Sequence, residues 1–156
     1  MPPDHEDTAN VIAPPPLIFV VPGVAGALFN RVLPVQVLPQ PIALVAGGVL
    51  ALAGIALTLW AFPKFRRAGT SVMPFKPTTA IIDTGPFAMT RNPLYLAMTL
   101  LYVGITLLAN TVWPLVLLPF VLIVMQRGVI EREERYLERK FGDEYLAYKS
   151  RVRRWL

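Results

Sequence analysis

Apolar residues run along this chain in long blocks. No Asp, Glu, Lys or Arg occurs between Thr8 and Asn30, between Val32 and Pro63, or between Asn92 and Gln126. A helix of a water-soluble domain carries a charged face at helical spacing. A charge at a bilayer centre costs about 2.5–3.5 kcal/mol on insertion scales, so blocks this long predict lipid-exposed helices. Ile42–Phe62, between Pro41 and Pro63, is the most regular block. At about 1.5 Å per residue it comes close to the ~30 Å hydrocarbon thickness, and the two prolines are expected to bound it. Leu17–Leu33 follows Pro14-Pro15-Pro16 and carries Pro22, Gly23 and Gly26, which predicts a short, kinked crossing. Asn92–Gln126 would reach about 52 Å as one helix, too long for a single crossing. Asn110, Thr111 and Pro114 near its middle predict a tight turn between antiparallel helices.

The expected fold is therefore an all-α integral membrane protein. It has about four transmembrane helices, near 17–33, 42–62, 94–109 and 113–129, and a cytoplasmic C-terminal amphipathic helical segment. Residues 1–16 read as an N-terminal tail, 17–62 as a first hairpin, and 63–156 as the remaining core. Lys64, Arg66, Arg67, Lys76 and Arg91 lie between the second and third crossings, and every later basic residue, from Arg127 to Arg154, follows the fourth. Arg31 alone lies on the other side. The positive-inside bias then places both termini and the middle loop in the cytoplasm, and a bacterial inner membrane suits a chain without a presequence. The start carries Asp4, Glu6 and Asp7 instead of a basic region, so no cleaved signal is expected.

Composition narrows the chemistry. The chain has 156 residues, 54% of them hydrophobic and 16% charged, with a net charge of +5. The one-sided loops account for that charge, and no nucleic-acid partner is expected. There is no cysteine, and the single histidine, His5, lies in the tail. Cysteine nucleophiles and thiolate metal sites are excluded, and a histidine base or metal centre is not expected.

Two polar segments remain. Arg91-Asn92-Pro93-Leu94-Tyr95 opens the third crossing. Pro93 suits a first helical turn and Asn92 an N-cap, which leaves Arg91 beside a helix N-terminus that favours anions. After the fourth crossing, Gly142 reads as a helix stop and Asp143 as the cap of a further helix to Arg151. Ile130, Leu137, Phe141, Tyr145, Tyr148, Val152 and Trp155 form an apolar stripe there, expected to lie on the membrane surface or on the rest of the protein. Glu133 falls within that stripe. Its carboxylate needs a partner, since burial without one costs several kcal/mol; Arg91, Arg127, another basic side chain or a bound cation can serve. Trp60, Trp113 and Trp155 read as interfacial belt residues.

Gly85-Pro86-Phe87, Arg91-Asn92-Pro93-Leu94-Tyr95, Glu133-Glu134, Leu137 and Phe141-Gly142-Asp143-Glu144-Tyr145 occur in an order that resembles the isoprenylcysteine carboxyl methyltransferase family. That family is itself related to membrane phospholipid N-methyltransferases. The resemblance covers residues 63–156 and makes that part a methyltransferase-like core. It implies an S-adenosyl-L-methionine-dependent methyltransferase acting on a lipophilic or lipid acceptor at the cytoplasmic membrane face. By position, the implied cofactor contacts are Thr79, Ala80, Ile81, Ile82, Phe87, Asn92, Pro93, Leu94, Tyr95 and Glu133, with Glu134 an alternative for the acidic role. Arg91 and Glu133 carry the catalytic expectation. Asn92 stands where the family often has His, and Val129 stands where prenylcysteine enzymes carry an Arg assigned to the substrate. Arg127 and Arg132 are the nearby candidates for substrate binding.

The cofactor's ammonium suits Glu133 or Glu134, and its carboxylate suits Arg91 or the first amides of the third crossing. Tyr95 can meet the adenine or the sulfonium. Methyl transfer requires neither a metal nor a protein nucleophile and depends on alignment. Two alternatives stay open: an NADPH-dependent membrane reductase of the steroid 5α-reductase type, with Lys64, Arg66 and Arg67 on the phosphates, and a non-enzymatic membrane scaffold subunit.

Overall fold

A computed structural model describes residues 7–156. Asp4, His5 and Glu6, read above as tail, lie outside the described residues. Among those described the chain is helical, without strands: α1 (Pro15–Phe29), α2 (Gln40–Ala68), α3 (Pro93–Leu108), α4 (Trp113–Met125), α5 (Glu131–Phe141) and α6 (Asp143–Arg151). A 3-10 turn, Gly85–Ala88, precedes α3, and a π-helical turn, Gln126–Ile130, joins α4 to α5.

The distribution of apolar side chains is inverted relative to a water-soluble bundle. Val45, Leu52, Leu59, Ile105, Phe120 and Ile123 point outward, with relative exposures between 51% and 69%. Two helical runs are long and apolar enough to cross a membrane: Gln40–Ala68 and Trp113–Phe141. Of their most apolar stretches, only 17% and 33% respectively are buried, whereas the core helix of a soluble domain is mostly covered. The chain is a membrane protein. In the second run the apolar part ends at Met125, and charges begin at Arg127. The crossing portion therefore stops before α5.

Small residues set the helix contacts. A Cβ on Gly104 would sit 2.6 Å from the backbone nitrogen of Ala51, and one on Gly47 would sit 2.7 Å from that of Leu108. α2 and α3 thus touch backbone to backbone, the close approach that apolar helices use where lipid provides no hydrophobic drive. On the other side, Ile18 and Phe19 of α1 pack with Tyr102 of α3 and with Val121 and Met125 of α4. The Tyr102 hydroxyl donates to the Pro114 carbonyl at 2.9 Å.

Two sequence expectations change here. Pro63 does not end α2, which runs on to Ala68 and stops at Gly69 in a left-handed cap with φ 66°. A proline removes only its own N–H from the ladder, and the following turn continues beyond it. Asn110 does mark the turn after α3, with φ 48°, and it does more than turn the chain. Its Oδ1 accepts from the amides of Val37 and Leu38, while its Nδ2 donates to the Leu38 carbonyl and to Gln40. One side chain thereby ties the α1–α2 loop to the α3–α4 turn.

The stripe after α4 packs inward on the protein. Tyr145, Tyr148 and Val152 are buried against Ile81, Leu137 and Phe141. Residues 7–14 also pack: the Ile12 amide donates to the Gly128 carbonyl at 3.1 Å, and Tyr136 and Lys140 both bond to Asp7.

Candidate functional site

A cavity of about 450 Å³ opens at the end of the bundle where α3 begins and α5 departs. Its walls come from the end of α2, the loop 70–82, the start of α3, helices α5 and α6, and Pro14–Pro16. Apolar lining comes from Phe62, Phe65, Val72, Met73 and Phe75 among others. Polar lining comes from Arg91, Asn92, Tyr95, Glu133, Glu134 and Tyr136. The volume falls within the roughly 300–1,000 Å³ range of small-molecule sites.

The two glutamates, adjacent in sequence, have different partners. Tyr95, in the first turn of α3, donates its hydroxyl to Glu133, 2.8 Å from each carboxylate oxygen. No basic side chain among the described residues pairs with Glu133; of the partners left open by the sequence, Arg91 pairs with Glu134 and Arg127 borders another groove. Glu134 takes Arg91 instead: its Oε1 forms an ion pair with Arg91 Nη2 at 2.9 Å and accepts a hydrogen bond from Arg154 Nε at 2.9 Å, and its Oε2 accepts from Arg154 Nη2 at 2.6 Å. Successive positions on a helix point about 100° apart, so a Glu-Glu pair can serve two separate environments. Glu133, beyond the crossing portion of its run, has its carboxyl pushed up to about 7. Burial is the main cause, with the nearby Glu134 charge adding to it and the Tyr95 hydroxyl opposing it.

Arg91 is the other anomaly. Its side chain is 8% exposed, and its Nε and Nη1 are buried without a hydrogen-bond partner among the described residues. Each such orphaned donor costs about 1–3 kcal/mol. The cavity lining therefore combines the Arg91 guanidinium, a carboxylate without a basic partner among the described residues, Glu133, and apolar side chains, a set that fits an amino-acid zwitterion carried on a less polar body.

Asn92 stands at the N-cap position, but its side chain does not cap α3. Its Nδ2 donates to the Arg154 carbonyl at 2.9 Å, as does the Thr90 hydroxyl at 3.0 Å, and the Arg91 amide donates to the Arg153 carbonyl. The segment after α6 is thus laced to Thr90–Asn92. The Asn92 side chain is held by its Nδ2 toward the Arg154 carbonyl, and its Oδ1 makes no bond to the first-turn amides.

Of the residues expected at a cofactor site, Ala80, Ile81, Ile82, Phe87, Asn92, Pro93, Leu94, Tyr95, Glu133 and Glu134 line this cavity, as does Arg91. Three expected positions lie elsewhere. Thr79 turns away, its hydroxyl donating to the Gly69 carbonyl at 3.0 Å. Arg132 donates to the Asn10 carbonyl at 2.7 Å. Arg127 borders a separate groove with Leu96, Thr99 and Trp155. Lys64, Arg66 and Arg67, which a nicotinamide nucleotide would need, do not line the cavity. Tyr136 and Arg154 were not foreseen. Tyr136 carries no distinctive sequence signal, and Arg154 is one of several basic residues near the chain's end. Among the described residues, no three His, Asp or Glu side chains converge on a point suited to a metal ion.

Fold and site together define a helical membrane protein with a pocket of mixed charged and apolar lining at one end of the bundle. The model of the phospholipid methyltransferase family matches residues 42–144, about two thirds of the chain, and the chain belongs to that family. It is a membrane methyltransferase of the same broad group that the ordered motifs resemble. A Haemophilus influenzae protein described as uncharacterised is 48% identical over 64 residues, covering 40% of this chain and 100% of that protein. No solved structure matches.

Proposed function

We propose that the protein transfers the methyl group of S-adenosylmethionine to a lipophilic acceptor, using the cavity between α3 and α5 to hold the donor. The supporting observation is the cavity lining itself, which sets the Arg91 guanidinium and the Glu133 carboxylate, the latter held among the described residues by Tyr95 alone, among apolar side chains. The residues present fit the cofactor. Arg91 takes the α-carboxylate, Glu133 takes the α-ammonium, and the apolar walls cover the rest. When bound, that cofactor supplies an electrophilic methyl group on a sulfonium. The Tyr95 hydroxyl orients Glu133, and Glu134 with Arg154 balances the charge of Arg91 without reaching for the ligand. Phe62, Phe65 and Met73 exclude water, which strengthens these charge interactions. Glu134 already accepts two hydrogen bonds from Arg154 and pairs with Arg91, which leaves Glu133 as the ammonium acceptor.

The chain crosses the membrane four times in this proposal, with α1 and α3 as short crossings and the cavity on the cytoplasmic side of a bacterial inner membrane. Residues 63–156 form the methyltransferase core. Because the chain has no cysteine, Ala109→Cys and Ser150→Cys report topology cleanly. In right-side-out cells an impermeant maleimide should label the first and spare the second; the reverse would overturn the orientation. For the activity, calorimetry on protein in lipid nanodiscs should detect S-adenosylmethionine binding. No binding, together with no transfer of a labelled methyl group into the lipid extract, would refute the proposal.

A further inference from the structure

Two segments without helix or strand contribute to the cavity wall. Residues 7–14 do so through Ala9 and Pro14, and the loop 70–82 through Val72, Met73 and Thr78 among others. A long irregular connection that walls a cavity is the kind of segment that serves as a lid. Both segments meet at one hydroxyl. Tyr136, 4% exposed and one turn beyond Glu133 on α5, donates to Asp7 Oδ1 at 2.9 Å. It accepts from the Thr78 amide at 3.1 Å and from the Lys140 ammonium at 3.1 Å. Those three bonds use its one proton and both lone pairs. Every other hydrogen bond of the loop 70–82 among the described residues stays within the loop or returns to the end of α2. Residues 7–14 are held further by the Ile12 amide on the Gly128 carbonyl, by Arg132 on the Asn10 carbonyl and by the Lys140–Asp7 pair.

We propose that residues 7–14 and the loop 70–82 are a two-part lid on the cavity, latched by the Tyr136 hydroxyl, and that ligand exchange waits on its release. The identity of the ligand rests on the proposed function above; the latch itself does not. A latch that is shut in the ligand-free protein has a kinetic signature. Ligand enters and leaves through the same unlatched state, so weakening the latch raises both rates by one factor and leaves their ratio, Kd, alone. A side chain that only shapes the site changes Kd, mostly through the dissociation rate.

Tyr136→Phe keeps the ring and deletes the three bonds, while the Lys140–Asp7 pair remains. In nanodiscs, the association and dissociation rates of S-adenosylhomocysteine should each rise about tenfold in this variant, with Kd within about threefold of wild type. Asp7→Ala, at a side chain 52% exposed, leaves the packing of Tyr136 intact and should raise both rates about threefold. Hydrogen–deuterium exchange on ligand-free protein reads the latch without any ligand. In Tyr136→Phe the amides of residues 7–14 and 70–82 should exchange about tenfold faster, and those of α3 and α4 at the wild-type rate. Unchanged binding rates in both variants, or a Kd raised through dissociation alone, would overturn the proposal. Exchange that quickens in only one of the two segments, or throughout α3 and α4, would overturn it as well. Wild-type protein that binds no S-adenosylhomocysteine would refute the functional reading, and the exchange result then decides the latch by itself.

Discussion

Glu133→Gln has opposite expected consequences for stability and for binding. The carboxyl sits in a protein-lined recess that raises its pKa from 4.5 to about 7, and a difference of one in pKa corresponds to about 1.36 kcal/mol between protonation states. Keeping Glu133 ionised above pH 7 therefore costs the ligand-free fold on the order of 3 kcal/mol as an upper figure. Glutamine retains an oxygen for the Tyr95 hydroxyl and removes the charge. Ligand-free Glu133→Gln protein should thus melt at a higher temperature than wild type at pH 8, with the difference vanishing below about pH 4.5. Binding should move the other way. Losing a charge-assisted hydrogen bond to an ammonium costs about 1.5–3 kcal/mol, roughly ten- to hundredfold in Kd. Thermal unfolding in nanodiscs across pH, with and without S-adenosylmethionine, reads both quantities from the same samples. A variant that melts lower than wild type at pH 8, or binds the ligand equally well, would refute the assignment of Glu133 as a strained, ligand-directed carboxylate.

The proton linkage of wild type has a definite sign. The folded state holds the Glu133 proton more tightly than the unfolded chain, so this group's contribution to stability is full below pH 4.5 and is lost as pH rises through about 7. Ligand affinity should instead weaken as pH falls below about 7, approaching about tenfold per pH unit, because the ammonium needs the ionised carboxylate; a flat calorimetric profile from pH 5.5 to 8 would contradict this. Gly104→Ala places a methyl 2.6 Å from the Ala51 nitrogen, and overpacking of this kind costs about 1–3 kcal/mol. Gly48→Ala, inside α2 with nothing within 4 Å, should melt at or a few degrees above wild type, because alanine favours the helix over glycine by about 0.5–1 kcal/mol. Asn110→Ala removes the bonds to the α1–α2 loop and strains a left-handed residue, so it should cost about 2–4 kcal/mol. Asn110→Gly should recover the strain but not the bonds, with ligand affinity unchanged in both variants.

The charge-free blocks contained most of the architecture, since the absence of an ionisable face over that length has one stable environment, hydrocarbon. The same pattern could not say how the helices meet. Gly47, Gly54 and Gly104 read locally as weak helix formers; only their apposition across α2 and α3 shows that they permit backbone contact. At the site, Arg91, Tyr95 and the Glu133-Glu134 pair stood out because charged groups at a membrane boundary require partners. Local pattern could nominate those partners but not assign them. Tyr95 meets Glu133, and Arg91 meets Glu134, across intervals of about forty residues. Arg154 could not be read from sequence because its role exists only once the segment after α6 folds back on Thr90–Asn92. Hydrophobic patterning is set residue by residue along the chain, so the sequence determines where it lies in lipid. Charge partnership is set by which surfaces converge, and only the tertiary structure decides that.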